Sequence, residues 1–134
     1  MVAARDFREL PSLLHPNVVL RSPLGFKSFQ GAPAVAQILA TVSGVLTNFR
    51  YEREFVSRDL DSVALEFSAS IGDKQLKGVD ILRFAENGTI MELEIMVRPF
   101  NALQALGSEM AKHLGVSGFH RFLAPLFALL RRPR

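Results

Sequence analysis

Asp80 sits in the middle of an apolar run, Gly78-Val79-Asp80-Ile81-Leu82, where a charge is out of place. A carboxylate held among hydrocarbon side chains is pushed toward its neutral form. Its pKa then climbs toward the range of a general base, and a nearby Arg opposes the climb. Arg98 closes the next apolar run, one residue before Pro99. A guanidinium there could clamp a ligand carboxylate or a developing oxyanion. Both residues also have plain structural readings. Asp80 could pair with Arg98 or Arg53, or hold a backbone N–H, and Arg98 could fix a strand-to-helix corner. Glu92 and Glu94, two apart, could do acid/base work together. Strand alternation instead makes them the solvated side, with Met91, Leu93, Ile95 and Val97 inward. The same alternation turns Arg98 outward unless a bulge reverses it.

Tyr51, Phe67, Leu82 and Phe84 are the candidates for ligand contact around Asp80, with Leu82 and Phe84 on its own face of the strand. Tyr51 is the single tyrosine of the chain, and it also reads as an edge aromatic with its hydroxyl in solvent. His15, His113 and His120 have no metal-ligand spacing. Gly115 and Gly118 interrupt the interval between the last two. There is no Gly-x-Ser-x-Gly elbow and no phosphate loop. Neither a metal nor a cofactor is expected.

The elements that must position these groups follow from periodicity. Apolar runs flank Glu86-Asn87-Gly88. Asn-Gly between such runs predicts a hairpin with a type I′ turn, pairing strands at about 75–84 and 89–98. Upstream, residues 49–56 and 63–71 alternate with period two, so 49–98 reads as a four-stranded antiparallel meander. Val35, Ile38, Leu39, Val42, Val45 and Leu46 form one helical stripe after Pro33, which suits a first turn; Asn48 is a plausible stop. Short strands are expected at 17–22 and 26–30, after an N-terminal helix over 3–15 that contains Pro11. Beyond Pro99 the spacing is helical again, from a candidate cap at Asn101 to Leu114. It resumes from Phe119 to Leu130, interrupted by Pro125.

The chain has 134 residues and no cysteine. That fits one domain and excludes disulfides, thiolate metal sites and a Cys nucleophile. A cytoplasmic protein is expected, since no long apolar run or apolar leader core occurs. The net charge of +3 is unevenly spread. Residues 112–134 carry +5, and residues 1–111 carry −2. The basic excess is therefore a C-terminal feature, which argues against a nucleic-acid-binding face.

Helix, short strands, helix and meander make an α+β fold: a cone-shaped curved antiparallel sheet wrapped by N-terminal helices, with C-terminal helices. Such a cone leaves a small-molecule pocket at its open end. The chain resembles the SnoaL-like group of the nuclear-transport-factor-2-like superfamily, which includes polyketide cyclases, ketosteroid isomerases and limonene epoxide hydrolases. Leu20-Arg21-Ser22-Pro23, Phe29-Gln30-Gly31, Gly78-Val79-Asp80-Ile81-Leu82-Arg83-Phe84, Asn87-Gly88-Thr89-Ile90 and Val97-Arg98-Pro99 carry the resemblance, over roughly residues 5–106. It implies one domain over 1–134, with 101–134 as a helical extension. It also implies a homodimer through the convex face of the sheet. It further implies cofactor-free isomerase or cyclase chemistry on an apolar carbonyl compound, with Asp80 as proton shuttle and Arg98 as electrostatic partner. No tyrosine on the N-terminal helix matches the oxyanion-hole tyrosine of ketosteroid isomerases. The rival reading is a non-catalytic module for ligand binding or dimerisation. A third is contact of 119–134 with a membrane surface.

Overall fold

A six-stranded sheet forms one wall of the molecule, its strands lying side by side in the order Phe29–Gln30, Leu14–Arg21, Ile90–Arg98, Lys74–Phe84, Ser62–Ile71 and Thr47–Val56. The computed structural model describes residues 10–114. The expected helical residues 3–9 and the segment Phe119–Leu130, with its membrane reading, lie outside them. The elements are α1 (Leu10–Leu13), β1 (Leu14–Arg21), β2 (Phe29–Gln30), α2 (Ala32–Val45), β3 (Thr47–Val56), β4 (Ser62–Ile71), β5 (Lys74–Phe84), β6 (Ile90–Arg98) and α3 (Phe100–Leu114).

The meander forms as its alternation requires. Leu65 faces Asp80, Phe67 faces Gly78 and Ala69 faces Leu76 across β4 and β5. Asp80 in turn faces Ile95 on β6. Phe67, Ala69 and Ile71 are buried, while Glu66, Ser68 and Ser70 belong to the opposite face. One pairing departs from the antiparallel pattern: β1 lies parallel to β6, with Leu20 beside Leu93. That pair is distant in sequence and has no turn signal, so periodicity alone does not reveal it.

Several local expectations shift. β1 already begins at Leu14, so His15 and Pro16 belong to a strand rather than to a helix end. The β1–β6 register breaks between Leu14 and Val19, around the proline that has no N–H to give the ladder. β2 is confined to Phe29–Gln30, and Phe26 is fully exposed. Asn48 does not stop α2; it lies in β3 with φ 53°, at a register shift. α3 starts at Phe100 rather than after Asn101, and the Leu103 N–H donates to the Pro99 carbonyl.

The β5–β6 turn is not the expected type I′ pair. Gly88 N–H donates to the Ala85 carbonyl, and only Gly88 of the Asn-Gly pair has positive φ. Asn87 Oδ1 instead accepts from Thr89 N–H and Oγ1–H. This longer turn introduces a bulge, so Phe84 faces Ile90 while Arg83 faces Glu92. Ile90 is thereby buried on the same side as Leu93.

Helices α2 and α3 cover the concave face of the sheet. Two apolar clusters form there. One joins Leu10, Leu14, Val18, Leu20 and Val35 to Leu82, Ile90 and Leu93. The other joins Leu46, Phe67, Ala69, Ile71 and Leu76 to Ala102, Leu106 and Met110. Ile38 and Ile95 pack against both. No helix of the described residues is long and apolar enough to cross a membrane.

Candidate functional site

Between sheet and helices lies a cavity of about 360 Å³. Residues of both apolar clusters line it, together with Ile38 and Val42 from α2 and Ile95 and Val97 from β6. Leu106, Met110 and Leu114 of α3 line it as well. Against this hydrocarbon wall the lining includes five side chains with polar groups: Ser22, Gln37, Ser43, Tyr51 and Asp80.

Asp80 points into this space because β5 alternates without interruption from Gln75 to Arg83. Protein atoms crowd its carboxyl, yet the side chain keeps some exposure to the hollow. Loss of water raises its pKa from the ordinary 3.8 to about 7, and a hydrogen bond from Tyr51 pulls weakly the other way. Tyr51 Oη donates to Asp80 Oδ2 at 3.4 Å. Burial first, then the adjacent carboxylate, drives the Tyr51 phenol well above its ordinary range, so the hydroxyl stays protonated and remains a donor.

Aromatic packing fixes Tyr51. Its ring meets the Phe49 ring edge-on, with centroids 5.0 Å apart. Phe49 stacks on Phe67 at 5.1 Å and an interplanar angle of 26°. Phe67 lies over Gly78, directly opposite it in the register. A Cβ at position 78 would meet the Met96 carbonyl oxygen, and Phe67 Cζ at 2.5 Å. Glycine is therefore what lets the ring approach the backbone, and the chain of contacts runs from Gly78 through Phe67 and Phe49 to Tyr51 and Asp80.

The candidates from the sequence separate cleanly. Tyr51, Phe67, Leu82 and Asp80 all line the cavity. Phe84 does not; it packs, partly buried, in the cluster of Leu82 and Ile90. Arg98 does not line the cavity either. It is exposed and faces Lys77 on the outer side of the sheet. The β6 bulge lies at the strand's other end, so Arg98 keeps the outward parity of Glu92, Glu94 and Met96. Its roles as clamp, or as partner of Asp80, are corrected accordingly. The solvent-facing reading of Tyr51 is corrected as well.

Arg53 is not a partner of Asp80. Tyr51 faces Phe67, but Arg53 faces Glu66, so one extra residue is accommodated in β3 between them. The bulge turns Arg53 to the outer face. There its Nε and Nη2 donate to the two Glu66 carboxylate oxygens at 2.9 and 2.6 Å. Glu92 is likewise on the outer face, 3.2 Å from Arg83 and 3.8 Å from Arg21. The Arg83 hydrogen bond holds it below the ordinary carboxylate range, which leaves it no base role.

Sequence reasoning named neither Phe49 nor Gly78 as part of the site. An isolated glycine inside a strand pattern is the signal for Gly78. The α2 and α3 stripes mark apolar faces but cannot distinguish a filled core from a lined hollow. No group of three or more His, Cys, Asp or Glu among the described residues could hold a metal.

The family model described as "SnoaL-like domain" matches residues 1–93. Among solved structures, the chain is similar to a steroid delta-isomerase from Pseudomonas aeruginosa. The identity is 50%, over 84% of this chain and 82% of that one, with a TM-score of 0.82. An uncharacterised protein with a cystatin-like fold from Silicibacter pomeroyi is 30% identical, over 91% and 86% of the two chains, with a TM-score of 0.80. The epoxide hydrolase/cyclase-like enzyme SalBIII of salinomycin pyran-ring formation shares the fold at 16% identity, over 75% and 84%, with a TM-score of 0.62. A search of the curated proteins gives no match.

Proposed function

The chain belongs to the SnoaL-like domain family, and from that premise we propose that it moves a proton on an apolar carbonyl compound without a cofactor, in the manner of an isomerase or cyclase. The observation that carries this reading is a single desolvated carboxylate, Asp80, facing an apolar cavity with its pKa near neutrality. A base with pKa near the working pH is ionised often enough to accept a proton and basic enough to take one from carbon. Asp80 would remove the proton α to the carbonyl and return it at another carbon. The Tyr51 hydroxyl would hydrogen-bond to the carboxylate before transfer and, once Asp80 is protonated, become free for an oxygen of the ligand. The 50% identity to a steroid delta-isomerase from Pseudomonas aeruginosa supports isomerisation over binding alone.

Two further proposals complete the reading. Phe55 and Met96 are 54% and 49% exposed on the outer face of the sheet, which suits a homodimer across that face. A cytoplasmic setting is compatible with a chain that has no cysteine.

The test is hydrogen–deuterium exchange at the α-carbon of an apolar cyclic enone, followed by proton NMR in deuterated buffer. Wild-type protein should catalyse exchange, and Asp80→Asn should lose about 10²- to 10⁴-fold, the usual worth of a positioned base. Equal rates for the two proteins would refute the proposal.

A further inference from the structure

We propose that the cavity is also a site for a lipophilic ammonium ion, its nitrogen seated against Asp80 and its hydrocarbon body along the helices. The proposal rests on the cavity being a ligand site, as above, but not on any reaction there.

The charge of the lining is one-sided. Among the described residues lining the cavity, Asp80 is the only formally charged one, and no Lys, Arg or His is among them. The two arginines that the sequence offers as its partners are turned away: Arg53 to Glu66, and Arg98 to the outer face beside Lys77. The hydrogen bond recorded at the carboxylate is the 3.4 Å one from Tyr51. No buried side-chain oxygen among the described residues lacks a partner, so the remaining acceptor capacity of Asp80 is directed at the open space of the hollow. An anionic ligand would meet repulsion there with no donor cation. An ammonium would supply the missing counter-charge.

The surroundings suit such an ion. Phe49, Tyr51 and Phe67 form one contiguous aromatic group, with neighbouring centroids 5.0 and 5.1 Å apart. Phe67 faces Gly78, two residues along β5 from Asp80 and on the same side, and the Tyr51 hydroxyl is 3.4 Å from the Asp80 carboxylate, so rings and acid share one wall of the cavity. A carboxylate beside aromatic rings is the chemistry that recognises alkylammonium groups. Folding has already removed most of the water from Asp80. The incoming ion pair therefore adds only the dehydration of the ammonium, offset by attraction in a poorly screened site.

The pH dependence separates this from simple apolar binding. Among the described residues, Tyr51 is the only other titratable group lining the cavity; β4, β6, α2 and α3 contribute none. An alkylammonium stays protonated from pH 6 to pH 8. Asp80 passes from about one-tenth to about nine-tenths ionised over that range, given its midpoint at about 7, so affinity for the cation should rise about tenfold. A neutral ligand gains nothing from the same ionisation.

The experiment is titration calorimetry of the whole protein with 1-adamantanamine and with 1-adamantanol, cages of matched shape, at pH 6 and pH 8. The amine should bind at least about tenfold more tightly than the alcohol at pH 8, as a charge-assisted hydrogen bond allows. Its affinity should rise about tenfold between the two pH values while that of the alcohol stays flat or falls. Asp80→Asn should retain the alcohol and lose the preference for the amine. If circular dichroism shows that variant unfolded, the wild-type pH comparison decides alone. Alcohol binding with no amine preference, or amine affinity that does not change with pH, overturns the inference and leaves the apolar ligand site standing. Failure of both cages to bind overturns the inference and the ligand site together.

Discussion

Replacing Asp80 by Asn should stabilise the protein at neutral and alkaline pH. The magnitude comes from the same desolvation that suits the residue to chemistry. Its carboxyl titrates at about 7 in the fold against an ordinary 3.8, roughly three decades in the protonation equilibrium at about 1.4 kcal/mol each. The sign follows from proton counting. The folded state holds the proton more tightly than the unfolded chain, so the contribution of this residue to stability is greatest below pH 4. It falls as pH rises between the two pKa values and levels off above about 7. The full cost of ionised Asp80 above that point is thus at most about 4 kcal/mol, and cavity water lowers it. Asn carries no charge, retains an acceptor for Tyr51, and brings an NH₂ whose imperfect pairing costs about 1 kcal/mol. The variant should therefore exceed wild type by about 2–3 kcal/mol at pH 8, and match it or fall slightly below at pH 4. Urea unfolding followed by circular dichroism at pH 4, 6 and 8 measures both curves. A variant less stable than wild type at pH 8 would refute the reasoning, because it would mean that the ionised carboxylate is satisfied by a partner.

Two other outcomes follow from the structure. Gly78→Ala places a methyl group against Phe67 and the Met96 carbonyl; it should cost about 1–3 kcal/mol in urea unfolding, as overpacking does, and a neutral result would mean that Phe67 does not lie over the strand. Light scattering should give twice the chain mass of 14.9 kDa, and Phe55→Glu with Met96→Glu should return it to the monomer value; a mass unaltered by the pair of changes removes the outer face as the interface.

Much of this arrangement could be read from period-two alternation. The faces of β4 and β5 follow from it directly, and so does the inward direction of Asp80, Leu82 and Phe67. What escaped was set by single inserted residues. The bulge after Arg83 brought Ile90 inside, and the bulge between Tyr51 and Arg53 sent Arg53 outside. Propensity hardly distinguishes a bulged strand from a regular one, while each bulge flips every residue beyond it. The β1–β6 parallel pair escaped for another reason, because no local turn announces it. Phe84 sits in the core although it shares a strand face with Asp80. Alternation gives the face of a residue, not how far along the face the cavity extends.

The extra residue in β3 has a consequence beyond geometry. With regular pairing, position 53 would stand opposite Leu65, in the very row that holds Asp80. Drawing the extra residue into the ladder, with every residue kept, would swing a guanidinium inward to pair with the acid. The ionic character of the chamber thus depends on where one strand sets its irregularity as well as on the acid in its wall.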